Sequence, residues 1–135
     1  MTTIIATRKG IHADTKCSFT VPFKVKKHVR VGGSIFAGAG DLEELEMFFE
    51  WRRGGSSPTI ESELDVLEVC SEGIFIWGKK LIRLAVLNEV YAVGSGSHYA
   101  MGAMAAGATP KQALSIAATY DSQTAAPFEF VKLSR

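Results

Sequence analysis

The sequence predicts an α+β domain whose helices are grouped over antiparallel sheets. Three observations carry that expectation. A β-branched apolar run begins at residue 2, capping signals bracket helical segments at 41–53 and 109–121, and the elements follow the order strands, helix, strands, two helices, strand.

Taken in order, TTIIAT (residues 2–7) is β-branched and apolar, the composition of a strand. RKG (8–10) reads as a turn, and IHADTKCSF (11–19) as a second strand interrupted by polar groups. KVKKHVRV (24–31) alternates loosely, which suits an edge strand, and GGSIFAGAG (32–40) is a short strand running into small residues. Asp41 followed by Glu44 has the form of an N-cap with a capping box. Leu42, Leu45, Phe48 and Phe49 then share one helical face. Arg52, Arg53, Gly54 and Gly55 supply the cations and glycine that suit a helix C-terminus.

GGSSP (54–58) is linker-like but too short to divide domains, so residues 1–135 are read as one domain. The segments 64–70, 73–78 and the run 80–93 read as three strands, with turn signals at Glu72-Gly73, Gly78 and Asn88-Glu89. GSGSHYAMGAMAAGA (94–108) passes from a glycine-rich loop into an alanine-rich helix that ends at Gly107. Thr109, Pro110 and Gln112 then form a strong helix start for 109–121, and PFEFVKL (127–133) is a closing strand. No internal repeat or low-complexity tract is present.

Composition narrows the function. Of 135 residues, 47% are hydrophobic and 21% charged, the mix of a chain that folds around its own core. A net charge of +1 offers no field to favour nucleic acid or an anionic membrane. The start, MTTIIATRKG, lacks the basic and apolar regions of a signal peptide, and no stretch approaches the roughly 18 apolar residues of a transmembrane helix. These features predict a soluble cytoplasmic protein. Cys17 and Cys70 are far apart and not in a metal-type spacing; one disulfide is an alternative, but two buried, reduced thiols fit that compartment better.

Candidate chemistry is sparse when residues are taken singly. His12, His28 and His98 lack metal-ligand spacing, so neither a metal nor another cofactor is expected. G-S-G-S at 94–97 could cradle an anion at a helix N-terminus, though a tight turn and cap explain it as well. It also lacks the G-x-S-x-G form of a serine-hydrolase elbow. Lys24, Lys26, Lys27, His28 and Arg30 read as a solvated face or a protected edge, and Cys17 as a small core cysteine. Met-Thr-Thr is different in kind. Initiator methionine is commonly removed before a small residue, and the α-amine then freed on Thr2 would have a pKa of about 7.7–8.0. Such an amine is partly neutral near physiological pH and can act as base for a neighbouring hydroxyl.

Several segments, in order along nearly the whole chain, resemble proteasome β-subunits and the bacterial proteasome-like HslV-type protease, which are N-terminal-nucleophile hydrolases. TTIIATRKG (2–10) is similar to that family's opening strand. Asp14 in H-A-D matches its acidic residue, and Lys27 in V-K-K its active-site lysine. A-G-A-G-D (37–41) resembles the turn into the first helix, with Gly38 where a backbone N–H serves the oxyanion hole. G-S-G-S-H-Y-A (94–100) is similar to the family's glycine–serine motif, with Ser95 as the supporting serine. Tyr120-Asp121-Ser122-Gln123-Thr124 resembles the R-D-S-x-S segment, where Asp121 and Thr124 would hydrogen-bond around the nucleophile.

The resemblance implies two stacked antiparallel sheets with helices outside them (αββα) and a threonine-type peptidase with Thr2 as nucleophile. It also implies peptide or protein substrates and a homo-oligomer. An unfoldase ATPase, if one takes part, would be a separate chain, because no nucleotide-binding motif is present here. Lys27, facing Asp14, would lower the pKa values of the amine and hydroxyl, while threonine's β-methyl restricts χ1. One oxyanion-hole donor is worth roughly 3–4 kcal/mol in other hydrolases.

Three departures qualify the likeness. The stretch between the first helix and Gly94 is too short for the family's second long helix, the A-G turn is one residue shorter, and Tyr120 and Ala125-Ala126-Pro127 replace an arginine and a glycine-rich ending. They keep two other readings open: a catalytically silent proteasome-like assembly or interaction subunit, and an N-terminal-nucleophile amidase acting on small amides.

Overall fold

The computed structural model describes residues 2–17, 23–24 and 26–133. In chain order the elements are β1 (Thr3–Thr7), β2 (Gly10–Asp14), β3 (Lys16–Cys17), β4 (Phe23–Lys24), β5 (His28–Val31), β6 (Ser34–Gly40) and α1 (Leu42–Arg52). There follow β7 (Leu64–Cys70), β8 (Gly73–Trp77), β9 (Arg83–Val86), β10 (Val90–Gly94), α2 (Ser97–Ala105), α3 (Pro110–Tyr120) and β11 (Phe128–Lys132). They build the expected α+β architecture. One antiparallel sheet has the strand order β10-β1-β2-β11 and a second has β5-β6-β7-β8-β9, while β3 and β4 form a two-stranded pair.

The sheets face each other through an apolar layer. Ile4, Ala6, Ile11 and Ala13 of the first meet Ile35, Ala37, Leu67, Val69 and Ile74 of the second. On the outer face of the first sheet, Ile5 and Ala92 pack against Ala100 of α2 and Ala113, Leu114 and Ala117 of α3. On the outer face of the second, Phe36, Val66 and Trp77 pack against Leu45, Phe48 and Phe49 of α1. β1 is therefore covered on both faces, and Ile4, Ile5 and Ala6 have no exposed surface. That explains why its sequence is continuously apolar rather than alternating. Among the described residues the second sheet carries α1 alone, so the layers are those of the expected αββα arrangement with one outer layer thinned to a single helix.

Four local expectations need correction. The second strand stops at Asp14, where its ladder with β11 ends at the Phe128 pair, and Lys16–Cys17 turns to pair with Phe23–Lys24. Ser18 and Phe19, the end of that expectation, and the Cys17 side chain lie outside the described residues; Cys70 is a buried free thiol. In 24–31, only His28–Val31 joins the second sheet, as its edge strand. The run 80–93 is two strands, β9 on β8 and β10 on β1, and residues 87–89 carry the chain from one sheet to the other. Fourteen residues exceed an ordinary strand, and Asn88-Glu89 marks the break. Finally, Asp41 caps α1 by accepting the Glu44 N–H at 3.0 Å, but Glu44 does not complete the box. Its carboxylate accepts instead from the N–H groups of Glu61 (2.6 Å) and Ser62 (3.1 Å), tying down the loop ahead of β7. The box predicted for α3, between Thr109 and Gln112, is complete.

One buried carboxylate braces the second sheet. Glu68 accepts hydrogen bonds from Ser34 (2.6 Å), Trp77 (3.0 Å) and Arg83 (2.9 Å). Burial pushes its pKa up, but these hydrogen bonds and the Arg83 charge outweigh burial and hold it below the ordinary glutamate value of 4.5. A depressed folded-state pKa means the contribution is fully present above about 4.5 and is lost as pH falls through the folded value. Glu68→Gln should therefore cost about 1–3 kcal/mol in urea unfolding at pH 7, with the gap to the natural protein narrowing below pH 4.5. A gap independent of pH would refute this account.

Candidate active site

Antiparallel pairing brings several strand ends to one end of the first sheet. In the registers Thr3↔Gly94, Ile4↔Ala13 and Asp14↔Phe128, the start of β1 lies beside the ends of β10 and β2, and the start of β11 joins them. Thr2 immediately precedes β1, Asp14 closes β2, and Lys27 immediately precedes β5 of the second sheet. Thr2, Asp14 and Lys27 are 2%, 0% and 5% exposed, so an opposite-charge pair and a threonine lie together out of contact with bulk water.

Lys27 Nζ donates to Thr2 Oγ1 at 2.7 Å and to Asp14 Oδ1 at 3.1 Å. Asp14 also accepts from the Thr3 N–H (3.3 Å, Oδ1) and the Ala125 N–H (3.2 Å, Oδ2). Burial raises the Asp14 pKa above the ordinary aspartate value; the Lys27 charge and hydrogen bond and the two N–H groups oppose that rise without cancelling it. Three donors aimed at two oxygens suit the ionised carboxylate, which only accepts. The paired ammonium thus lies within hydrogen-bonding distance of a hydroxyl, a position from which a cation can stabilise negative charge on that oxygen.

A second carboxylate approaches the Thr2 backbone through Ser95. Asp121 Oδ2 accepts from Ser95 Oγ and from Thr124 Oγ1, both at 2.6 Å, and Asp121 Oδ1 accepts from the Gln123 N–H at 3.2 Å. Burial raises the Asp121 pKa, but the combined hydrogen bonds outweigh it, and the carboxyl is held below its ordinary value. Ser95 Oγ is also 3.3 Å from the Thr2 carbonyl oxygen. One hydroxyl proton cannot serve both acceptors, and the shorter contact to the charged carboxylate is the stronger. Ser95 therefore sits between the Thr2 backbone and Asp121 with its proton turned to Asp121.

Six of the seven residues singled out from the sequence, namely Thr2, Asp14, Lys27, Ser95, Asp121 and Thr124, are joined by these hydrogen bonds and those of Thr3. Gly38 differs. Its N–H donates to the Lys27 carbonyl at 3.2 Å, continuing the pairing between β5 and β6, so it is not an open oxyanion donor. A Cβ there would fall 2.6 Å from Leu45 Cδ1 and 3.0 Å from Val66 Cγ2. The small residue at 38 is thus explained by the close approach of α1 to β6.

Sequence reasoning missed Thr3, wholly buried with its Oγ1 at 2.7 Å from Thr124 Oγ1, and the structural basis of the glycines in G-S-G-S. At Gly94 the backbone has φ of +103° and a Cβ would meet the Thr2 carbonyl oxygen at 2.0 Å. A Cβ on Gly96 would fall 2.2 Å from Thr3 Oγ1 and 3.1 Å from Thr124 Oγ1. The loop is pressed against residues 2 and 3. No local pattern announces that contact; spacing alone shows only a flexible turn before a helix.

No protein-family model and no curated protein sequence matches the chain. Solved structures do. Thiobacillus denitrificans BPH superimposes with a TM-score of 0.77 at 21% identity, covering 98% of each chain. The same protein in complex with epoxomicin gives 0.74 at 21% identity over 99% of each chain. HslV from Trypanosoma brucei gives 0.69 at 16% identity, covering 96% of this chain and 98% of its own. The chain therefore has the fold of HslV-type proteins, a likeness carried by structure at low sequence identity.

Gly96 tests the packing around residues 2 and 3 directly, because its φ of −93° suits any residue and only the contacts resist a side chain. Gly96→Ala should lower unfolding stability by about 1–3 kcal/mol. A loss under about 0.5 kcal/mol, the range of a surface substitution, would show that the loop has room to give.

Proposed function

We propose that the chain is a threonine-type peptidase, with Thr2 as its nucleophile once Met1 is removed. The observation that carries this reading is the buried contact of Lys27 Nζ with Thr2 Oγ1 at 2.7 Å, beside Asp14. A hydroxyl held by a paired ammonium is poorly explained as structure alone, since burying two charges costs several kcal/mol per ion before their attraction is counted.

In the reaction, Thr2 Oγ attacks the scissile carbonyl carbon and its proton passes to the free α-amine of Thr2, directly or through water. The tetrahedral intermediate collapses as the leaving amine takes that proton, leaving an ester on Thr2. Water, deprotonated by the same α-amine, then hydrolyses the ester and restores the hydroxyl. Lys27 stabilises negative charge on Oγ, Asp14 keeps Lys27 charged and in place, and Ser95, held by Asp121, packs against the backbone of the nucleophile. The substrates are peptides or proteins. The likeness to HslV and to a protein solved with epoxomicin supports both this chemistry and a homo-oligomeric assembly, with any unfoldase ATPase a separate chain.

One observation favours the alternative, a silent assembly or interaction subunit. The Gly38 N–H is engaged by the Lys27 carbonyl, so an oxyanion would have to displace that bond or find another donor.

Intact mass spectrometry after incubation with a threonine-directed epoxyketone such as epoxomicin separates the two readings. The expected result is a chain lacking Met1 that carries one inhibitor mass, and a Thr2→Ala chain that carries none and has lost essentially all peptidase activity. A Met1-free protein that neither takes up the inhibitor nor cleaves a peptide library would establish the silent reading.

A further inference from the structure

Thr3 is the residue at which the two carboxylates of the site meet. Its N–H donates to Asp14 Oδ1 at 3.3 Å, and its side-chain oxygen lies 2.7 Å from Thr124 Oγ1, itself 2.6 Å from Asp121 Oδ2. The direction of this chain of bonds follows from chemistry. Asp121 is held in its ionised form by its donors, and a carboxylate only accepts, so Thr124 gives it its one proton. Thr124 Oγ1 can then only accept from Thr3, and Thr3 is the donor.

The hydroxyl is out of place on packing grounds. Thr3 is wholly buried on the face of β1 shared with Ile5, beside Gly96 and the apolar contact of Ile5 with Ala113, Leu114 and Ala117. β-Branched valine would suit that environment, whereas a buried hydroxyl costs free energy unless it is hydrogen-bonded. Gly96 leaves the room, since any Cβ there would strike Thr3 Oγ1 at 2.2 Å.

We propose that Thr3 is a positioning residue that fixes Thr2 between Lys27–Asp14 and Ser95–Asp121, its N–H anchored on the first pair and its hydroxyl, through Thr124, on the second. This assignment rests on the threonine-peptidase reading. Misplacement of a reacting group by about 1 Å can cost about 100-fold in rate. Thr3→Val removes the donor while keeping the branched shape, so kcat should fall by about 10- to 100-fold with KM within about threefold, as expected for loss of a transition-state effect. Thr3→Ser, which keeps the hydroxyl and loses the methyl group, should stay within about threefold of the natural protein. A purely packing role would reverse that order.

The experiment measures kcat and KM on a peptide substrate for the Met1-free natural, Thr3→Val and Thr3→Ser proteins, with the Asp121 carboxyl titrated by NMR in each. Loss of the Thr3 donor should move the Asp121 midpoint upward in Thr3→Val and leave it in place in Thr3→Ser. An active natural protein whose kcat survives Thr3→Val overturns the role of Thr3 and leaves the peptidase reading standing. A natural protein with no activity overturns the peptidase reading; the titration then decides the geometry of Thr3 by itself, and an unmoved midpoint in Thr3→Val overturns that too.

Discussion

Lys27 and Asp14 are opposite charges 3.1 Å apart, almost wholly shut off from water. Such a pair is tolerable only when each partner is present and the remaining hydrogen-bonding capacity is used. Removing one partner from a buried pair typically costs about 3–5 kcal/mol, because the other is left charged and alone. The surrounding structure supplies what the pair requires. Thr3 and Ala125 bring backbone N–H groups to the carboxylate, and Thr2 offers its hydroxyl oxygen to the ammonium. Because Lys27 leads into the second sheet while Thr2 and Asp14 belong to the first, the pair also joins the sheets where their apolar layer gives way to polar groups.

Around this pair the backbone approaches itself closely. Gly94 and Gly96 let the loop before α2 press against Thr2 and Thr3, and the space a Cβ would fill is taken by the Thr2 carbonyl and the Thr3 hydroxyl. Asp121, at the C-cap of α3, meets Ser95 from that loop. Helix and loop are thereby fastened to the start of β1 through hydroxyl groups, where apolar contacts would pack but not orient. The result is a threonine whose hydroxyl is held by a cation and whose backbone carbonyl is flanked by a carboxylate–hydroxyl network. The proposed catalysis, by electrostatic preorganisation, asks for that kind of fixity.

The helices were legible because their signals are local. Asp41, Thr109, Pro110 and Gln112 mark their own ends, and the structure uses each of them. Strand identity was legible too, but strand partnership was not. The run 80–93 divides between two sheets although its residues look alike, because β9 has β8 to pair with and β10 has β1. Glu44 shows the same limit: its spacing from Asp41 fits a capping box, yet the N–H groups of Glu61 and Ser62, brought up by the following loop, occupy its carboxylate. At Gly38 the resemblance implied an oxyanion donor, but its N–H donates to the Lys27 carbonyl beside β5. In each case a nonlocal partner outcompeted the local expectation.

What the sequence by itself determined was the inventory and its order: an apolar β-branched start, capped helices at 41–53 and 109–121, and a threonine at position 2. These are properties of near neighbours, set by dihedral preference, periodicity and hydrogen bonds across three or four residues. The tertiary structure alone decided that Thr3 touches a threonine 121 positions away, that Ala125 reaches back to Asp14 across 111, and that Lys27 lies over Thr2 rather than on a solvated edge. The physical reason is that such contacts arise from sheet register and layer packing, which join distant segments only after the chain has closed on its core.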